Sequence, residues 1–372
     1  MPHTPFPKKK NEKVYPTYDC ACPFVDSLEG VTHALRTSEY RDRAPQFAAV
    51  LKMCQAVWAA TAPLPDVAIW DYSRLAFSGT VMSKRKLLWC VEAGVVEGWD
   101  DPRVPTVRGV IRRGLQVPAL RAFILAQGAS RAVTLQDMDK LWAANRAAVD
   151  PLARRHTAIR EGAAGSAPRV RLALSGGPAT PESVDLPAHK KNPALGTKVQ
   201  TRAGCVWLEQ ADAAALAPGG EEVTLMDWGN AVIESVERDP ASGVITAASG
   251  RLHLEGSPKT TRLKLTWLPA DAAAPLTPLT LVEYGDLLSK KKLEEGEDVA
   301  DFVNPASKTV GAALGDAGLA SLPAGALVQL ERVGYYRVDV PGDAPTLIRI
   351  PDGKKGAGGE AAATAGKDAG AK

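Results

Sequence analysis

The chain has 372 residues, 45% of them hydrophobic and 23% charged, enough apolar material for roughly two or three domains with buried cores; this excludes a small stapled module and wholesale disorder. Lys and Arg number 45 against 42 Asp and Glu, a net charge of +3, so any basic face for a nucleic acid has to be local. Five cysteines without paired spacing exclude a disulfide framework, and Cys20-Ala21-Cys22 lacks the further Cys or His ligands that zinc requires, so no metal site is expected. The N-terminal Lys run has no apolar stretch behind it, and no uncharged run approaches the roughly 18 to 20 residues of a membrane span. A soluble, cytoplasmic chain with no membrane partner is the expectation.

In chain order, residues 15 to 160 carry mostly helical periodicity. Ser83 to Glu97 reads as one helix, with Ser83 as N-cap and Gly98 just past its end. Leu120, Phe123, Ile124 and Gln127 recur at helical spacing, as do Met138, Leu141, Trp142 and Asn145, each set marking a stripe that faces a core. From 161 to 193 Gly, Ala, Pro and Ser dominate, and the segment reads as a linker or irregular crossover. From 194 to 353 short β-branched runs recur between turn residues, among them EEVTLMDW, AVIESVE and RLKLTWL, and DPASG at 239 to 243 is a hairpin turn. Strands of this kind build sandwiches or barrels; the later runs LTLVEY, ALVQLERVGYYRVDV and TLIRI suggest a second barrel or a return into the first. The tail, 354 to 372, has too little apolar content to bury and is expected to be disordered.

Three stretches are more specific than composition: KVYPTYDCACPFVDSLEGVTHALRTSEYRDR, WDYSRLAFSGTVMSKRKL and GWDDPRVPTVRGVIRRG. They resemble the second half of the catalytic domain of eukaryotic cytosolic glutamyl-tRNA synthetases, in that family's order. HKKNP, MDWGNAVI, KTTRLKLTWL, FVNPASK and IPDG extend the resemblance to about Gly353 through two anticodon-binding β-barrels. The fold class this implies is multidomain: a partial α/β Rossmann-type catalytic domain with a helical stem-contact region over 13 to 160, the linker, and barrels over 194 to 353. The substrates it implies are glutamate, tRNA and ATP with Mg2+, without a prosthetic group and without DNA.

Activation of an amino acid with ATP needs cations on a loop near a helix start, where a triphosphate is held while charge develops at the α-phosphate. Val81, Met82, Ser83, Lys84 and Arg85 resemble the family's KMSKS loop, with Val81 in place of the first Lys, and the resemblance assigns Lys84 to the phosphates. Glu39, Arg74 and Leu75 are then expected around the nucleotide. Arg36, in THALR, stands where glutamyl enzymes hold an Arg and glutaminyl relatives a small uncharged residue. A guanidinium forms a bidentate charge-assisted pair with a γ-carboxylate and cannot do so with an amide, so glutamate is favoured over glutamine. Tyr18, Asp19, Cys20, Ala21 and Cys22 are expected to line the amino-acid pocket, with Cys20 standing where the family usually has Phe.

Asp42 resembles the acidic residue that this branch directs into the acceptor-stem minor groove, and Arg103, in GWDDPR, matches an element near the acceptor strand, where a tight structural turn is the competing reading. Arg108, Arg112 and Arg113, Arg154 and Arg155, and Lys290 to Lys292 supply further candidate phosphate contacts. The five histidines never form the H-x-G-H string of a class I synthetase. The expectation is therefore a chain lacking the first half of the nucleotide-binding fold, with an exposed surface that needs a complementing polypeptide or a place in a multi-synthetase assembly. The competing functions are a non-catalytic tRNA-binding module or scaffold, and a glutaminyl-tRNA synthetase, against which Arg36 argues.

Overall fold

The computed structural model describes residues 16–128, 130–161 and 169–354, so most of the tail lies outside the described residues. Two compact units result: described residues of 1–78, 82–85 and 123–137 form the first, and those of 79–81, 86–122 and 138–372 the second.

The first unit is organised around a strand–helix–strand crossover. Strands His33–Thr37 and Ala68–Tyr72 pair in parallel, with His33 opposite Ala68 and Thr37 opposite Tyr72. A parallel pair needs a long crossover, supplied here by the helix Ala44–Trp58, whose Pro45 sits in the first turn where a missing N–H costs nothing. Phe47 and Leu51, one helical turn apart, bury against Ala34 and Val67. An earlier helix, Tyr18–Leu28, ends at Gly30, whose φ of 75° lets Val31 N–H reach the Asp26 carbonyl and Gly30 N–H the Ser27 carbonyl. The opposite face of the sheet carries Leu35 and Trp70, in register and 66% and 48% exposed, followed by exposed Tyr72. Parallel sheets are normally covered on both faces, so this bare apolar face is unusual.

The helix that starts at Lys84 ends at Glu92, earlier than its sequence suggests. Gly94 rather than Gly98 takes the left-handed position, with φ 68°, and Val95 N–H returns to the Cys90 carbonyl. Sequence periodicity overran this stop because Val95 and Val96 are also apolar; they pack with Cys90 and Leu87 from beyond the turn. In the helix Met138–Val149 the expected stripe is largely buried through Leu141, Trp142 and Asn145. In Val117–Gln127 Phe123 is buried and Ile124 is 50% exposed, so that stripe is rotated from the expected one.

Two seven-stranded sheets follow, and each closes by the same device. The first runs Lys264–Leu265, Glu221–Leu225, Gly229–Arg238, Ile245–His253, Val170–Ser175, Cys205–Leu208, Leu268–Pro269. Its two edge strands are separated in sequence only by Thr266 and Trp267, so one short segment joins both edges and bends the sheet into a barrel. The second runs Arg154–His156, Leu327–Leu330, Gly334–Val340, Thr346–Ile350, Leu276–Tyr284, Lys308–Asp316, Ala158–Arg160, and only Thr157 separates its edge strands. Leu172, Leu208, Leu225 and Ile233 fill the first barrel; Leu281, Leu330, Tyr336 and Leu347 fill the second. The hairpin turn is as expected: Asp239 accepts from Ala241 N–H and from Ser242 Oγ, both at 2.8 Å, and Gly243 has φ 70°.

Two boundaries read from sequence need correction. Residues 154 to 160, assigned with the helical part, form both edges of the second barrel, because Arg-Arg-His-Thr-Ala-Ile-Arg is too short to show a strand period on each side of Thr157. The stretch read as a linker contributes Val170–Ser175, a central strand with alternating burial, and Glu182–Pro187, which pairs antiparallel with Thr197–Arg202. Its Gly, Ala and Pro content hid the alternation; residues 162 to 168 lie outside the described ones.

Candidate amino-acid and nucleotide site

Arg36 lies at the C-terminal end of its strand, on the face covered by the Ala44–Trp58 helix. Its guanidinium sits 4.6 Å from the Phe47 ring centroid and 5.7 Å from that of Tyr18, and Nη2 donates to Cys22 Sγ at 3.3 Å. Cys22 Sγ in turn donates to Asp26 Oδ2 at 3.2 Å. Aromatic faces stabilise a cation without neutralising its hydrogen-bonding edge. Among the described residues no carboxylate lies within ion-pair distance of Arg36. A half-buried guanidinium in this state is suited to an incoming carboxylate.

Of the five residues expected around the amino acid, the structure brings two to Arg36. Tyr18 and Cys22, separated by one helical turn, share the side of their helix that faces the guanidinium. A hydrogen bond with the Cys22 thiol, aided by burial, holds the Tyr18 hydroxyl above its ordinary pKa. Asp19 is turned to an ion pair with Arg43. Cys20 and Ala21 are exposed, as consecutive helical residues cannot all face one pocket.

The nucleotide candidates divide similarly. Glu39, in the 3-10 turn Ser38–Arg43, and Arg74, in the loop after Ala68–Tyr72, meet at 3.4 Å across 35 residues of sequence. Leu75 is partly buried beside Arg74 in the chain. Both loops leave the C-terminal ends of parallel strands, the end at which open α/β sheets bind ligands. Val81 is buried with Leu87 and Cys90 and anchors the next loop, while Lys84 and Arg85 open the following helix exposed to solvent and Met82 and Ser83 are partly buried. Lys84 has no ion-pair partner among the described residues. Asp42 is exposed on the Ser38–Arg43 turn and is likewise without an ion pair among the described residues.

Arg103 departs from the nucleic-acid expectation, and the competing structural turn is what forms. Asp101 is fully buried and accepts from Glu97 N–H, Arg103 N–H and Arg103 Nε at 2.9 Å and from Arg103 Nη2 at 2.7 Å, while Arg103 Nη1 donates to Ser307 Oγ at 3.1 Å. The guanidinium is 9% exposed and its donors are occupied inside the protein. Burial alone would raise the Asp101 pKa, but the hydrogen bonds from Arg103 outweigh it and hold the carboxyl below its ordinary value.

Much of the remaining basic set is also structural. Arg112 makes a two-point pair with Asp339 at 2.7 and 2.9 Å. Arg113 donates to the Tyr284 carbonyl, and burial pushes its guanidinium down to about 10. Arg154 donates to the carbonyls of Leu195 and Thr197, Arg155 pairs with Asp150, and Lys290 pairs with Glu297. Sequence shows that a charge is basic but not whether it is already neutralised. One acidic residue passed over in the sequence, Asp71, matters more: it lies in register with Arg36, and its place within WDYSRL was the available signal.

A catalytic unit joined to two barrels defines a class that the comparisons identify. The family model for the catalytic domain of class I (E and Q) tRNA synthetases matches residues 8–151, and models for two anticodon-binding domains of the same synthetases match 153–255 and 264–339. The chain belongs to this Glu/Gln family of class I tRNA synthetases. Its relatives include the cytoplasmic glutamate–tRNA ligase of Arabidopsis thaliana, 50% identical over 346 residues covering 92% of this chain and 46% of the relative. A probable cytoplasmic glutamate–tRNA ligase of Schizosaccharomyces pombe is 47% identical over 344 residues, covering 92% and 46%. The bifunctional glutamate/proline–tRNA ligase of Drosophila melanogaster is 41% identical over 353 residues, covering 92% of this chain and 20% of the relative. The chain thus spans about half the length of the single-function relatives.

Proposed function

We propose that this chain carries the glutamate-selecting and tRNA-binding parts of a cytoplasmic glutamate–tRNA ligase. The observation that carries this reading is Arg36, a guanidinium oriented by two rings and a thiol and left without a carboxylate partner among the described residues. A glutamate γ-carboxylate completes it; the amide of glutamine brings no charge and its N–H groups would oppose the guanidinium donors. Tyr18 and Cys22 border this amino-acid site, with Asp19, Cys20 and Ala21 in the same segment. Glu39, Arg74 and Leu75 belong to the ATP site with the loop Val81 to Arg85. Asp42 addresses the acceptor stem.

The chemistry is attack of the glutamate α-carboxylate on the α-phosphate of Mg-ATP, which releases pyrophosphate and forms glutamyl-adenylate; a terminal ribose hydroxyl of tRNA then attacks the adenylate carbonyl. Lys84 acts through its charge on the phosphates, not as a proton-transfer base. Arg36 and the surrounding rings hold glutamate in place.

The strand–helix–strand unit is read here as part of a Rossmann-type nucleotide-binding fold, followed by a helical stem-contact region. The bare face of Leu35, Trp70 and Tyr72 supports a further α/β layer, supplied by the same longer protein or by a complementing polypeptide, over this sheet. A second reading is a tRNA-binding module without activation chemistry. ATP–pyrophosphate exchange and tRNA gel shifts on the 372-residue chain, alone and mixed with a polypeptide bearing H-x-G-H, separate them. Exchange that appears with glutamate in the mixture supports the ligase. Salt-sensitive tRNA binding with no exchange in any mixture supports the module.

A further inference from the structure

Partners in register on a parallel pair of strands project from the same face. Arg36 and Asp71 are such partners, so a guanidinium and a carboxylate stem from adjacent backbone positions on the covered face of the sheet. Opposite charges placed this way pair unless something competes. Here they do not pair: Arg36 turns to Phe47 and Cys22, and Asp71 is engaged elsewhere. Arg131 Nη2 lies 3.0 Å from Asp71 Oδ1, and its guanidinium also sits 5.7 Å from the Trp70 ring, which holds it in place. Arg41 Nε reaches Asp71 Oδ2 only at 3.9 Å and is largely exposed, so it holds the carboxylate weakly.

We propose that Arg131 is a positioning residue that withholds Asp71 from Arg36 and so keeps Arg36 unpaired. Without Arg131 the Asp71 carboxylate swings to the neighbouring guanidinium and fills, from within the protein, the position a substrate carboxylate would take. The consequence for glutamate rests on the proposed role of Arg36; the pairing itself does not. Arg131 lies 95 residues from Arg36 in sequence and touches neither the amino-acid nor the nucleotide candidates, so its loss would reach recognition through Asp71.

The test is phenylglyoxal modification of the 372-residue chain, with the rate at Arg36 read by peptide mass spectrometry. Ion pairing slows the reaction of a guanidinium. Arg131→Ala is expected to slow modification at Arg36 by up to about five-fold, the range for a partly exposed pair. The double variant Arg131→Ala with Asp71→Asn restores the rate, and Arg131→Lys, which keeps the cation, stays near the parent. Arg131 is half exposed, so these variants retain the fold, checked by circular dichroism. An unchanged or faster rate in Arg131→Ala, or a slowed rate that Asp71→Asn does not restore, overturns the proposal. A parallel arm adds glutamate or glutamine to the parent chain. Protection of Arg36 by glutamate alone supports the amino-acid reading, and equal effects of the two count against that reading while the variant rates still judge the role of Arg131.

Discussion

Replacing Asp101 with Asn tests whether the Asp101–Arg103 turn is structural. The change preserves shape but removes the charge facing Arg103 and one of the two acceptor oxygens that serve four donors at 2.7 to 2.9 Å. Removing one partner of a buried pair leaves an uncompensated charge, a loss of about 3 to 5 kcal/mol. With a urea slope of about 2 kcal/mol/M, the midpoint for this region should fall by at least about 1.5 M. Pulsed hydrogen exchange on peptides spanning 95–115 reads the transition locally. Adding Arg103→Met removes the orphaned cation and should recover part of the loss. The pH dependence has a fixed sign. Because the folded carboxyl titrates below the unfolded value of about 3.9, its contribution is complete above that value and is lost as pH falls through the lower folded one. Asp101→Asn lacks that acid-limb dependence. Parent-like stability of Asp101→Asn, or a double variant weaker than the single one, would refute the argument.

Further expectations follow from other residues. Arg36→Gln should remove discrimination between glutamate and glutamine in steady-state charging; retained preference would count against the carboxylate contact. With the H-x-G-H polypeptide supplied, Lys84→Ala should lower adenylate formation by about a hundred- to a thousand-fold in stopped-flow or exchange assays, with glutamate affinity little changed. A large loss of glutamate affinity would place Lys84 elsewhere in the mechanism. Gly353→Ala should lower the thermal midpoint of the second barrel, because φ is +76° and the new Cβ would lie 2.5 Å from the Asp139 carbonyl oxygen and 2.6 Å from Ala143 N, both backbone atoms. An unchanged melting curve would show that this end of the barrel yields freely.

Residues named from short motifs were easier to place in the structure than the topology that joins them. Motifs such as THALR and WDYSRL are short and lie on one strand or one loop, so their residues were identifiable without knowing the topology. In the structure Arg36 lies beside Tyr18 and Cys22, and Glu39 beside Arg74; their roles toward glutamate and ATP rest on the proposed function. What escaped depended on distant partners. For Arg103 the sequence left the acceptor-strand and structural-turn readings open, and the pairing with Asp101 two residues away decides for the turn, whereas Arg112 looked free because Asp339 lies 227 residues away. The barrel closures at 154–160 and 264–269 consist of strands of two or three residues, too short for any period to register. The Val170–Ser175 strand was obscured by its neighbours' composition, and the helix after the Val81 to Arg85 loop ended early at one glycine among several.

The central claim is that Arg36 selects glutamate for attachment to tRNA. Its most direct test is charging of glutamate-accepting tRNA with labelled glutamate and glutamine, using the chain supplied with a polypeptide bearing the H-x-G-H half, for the parent and for Arg36→Gln. The account predicts charging with glutamate alone by the parent and loss of that preference in the variant. Equal charging with both amino acids by the parent, or an unaltered preference in Arg36→Gln, would contradict it.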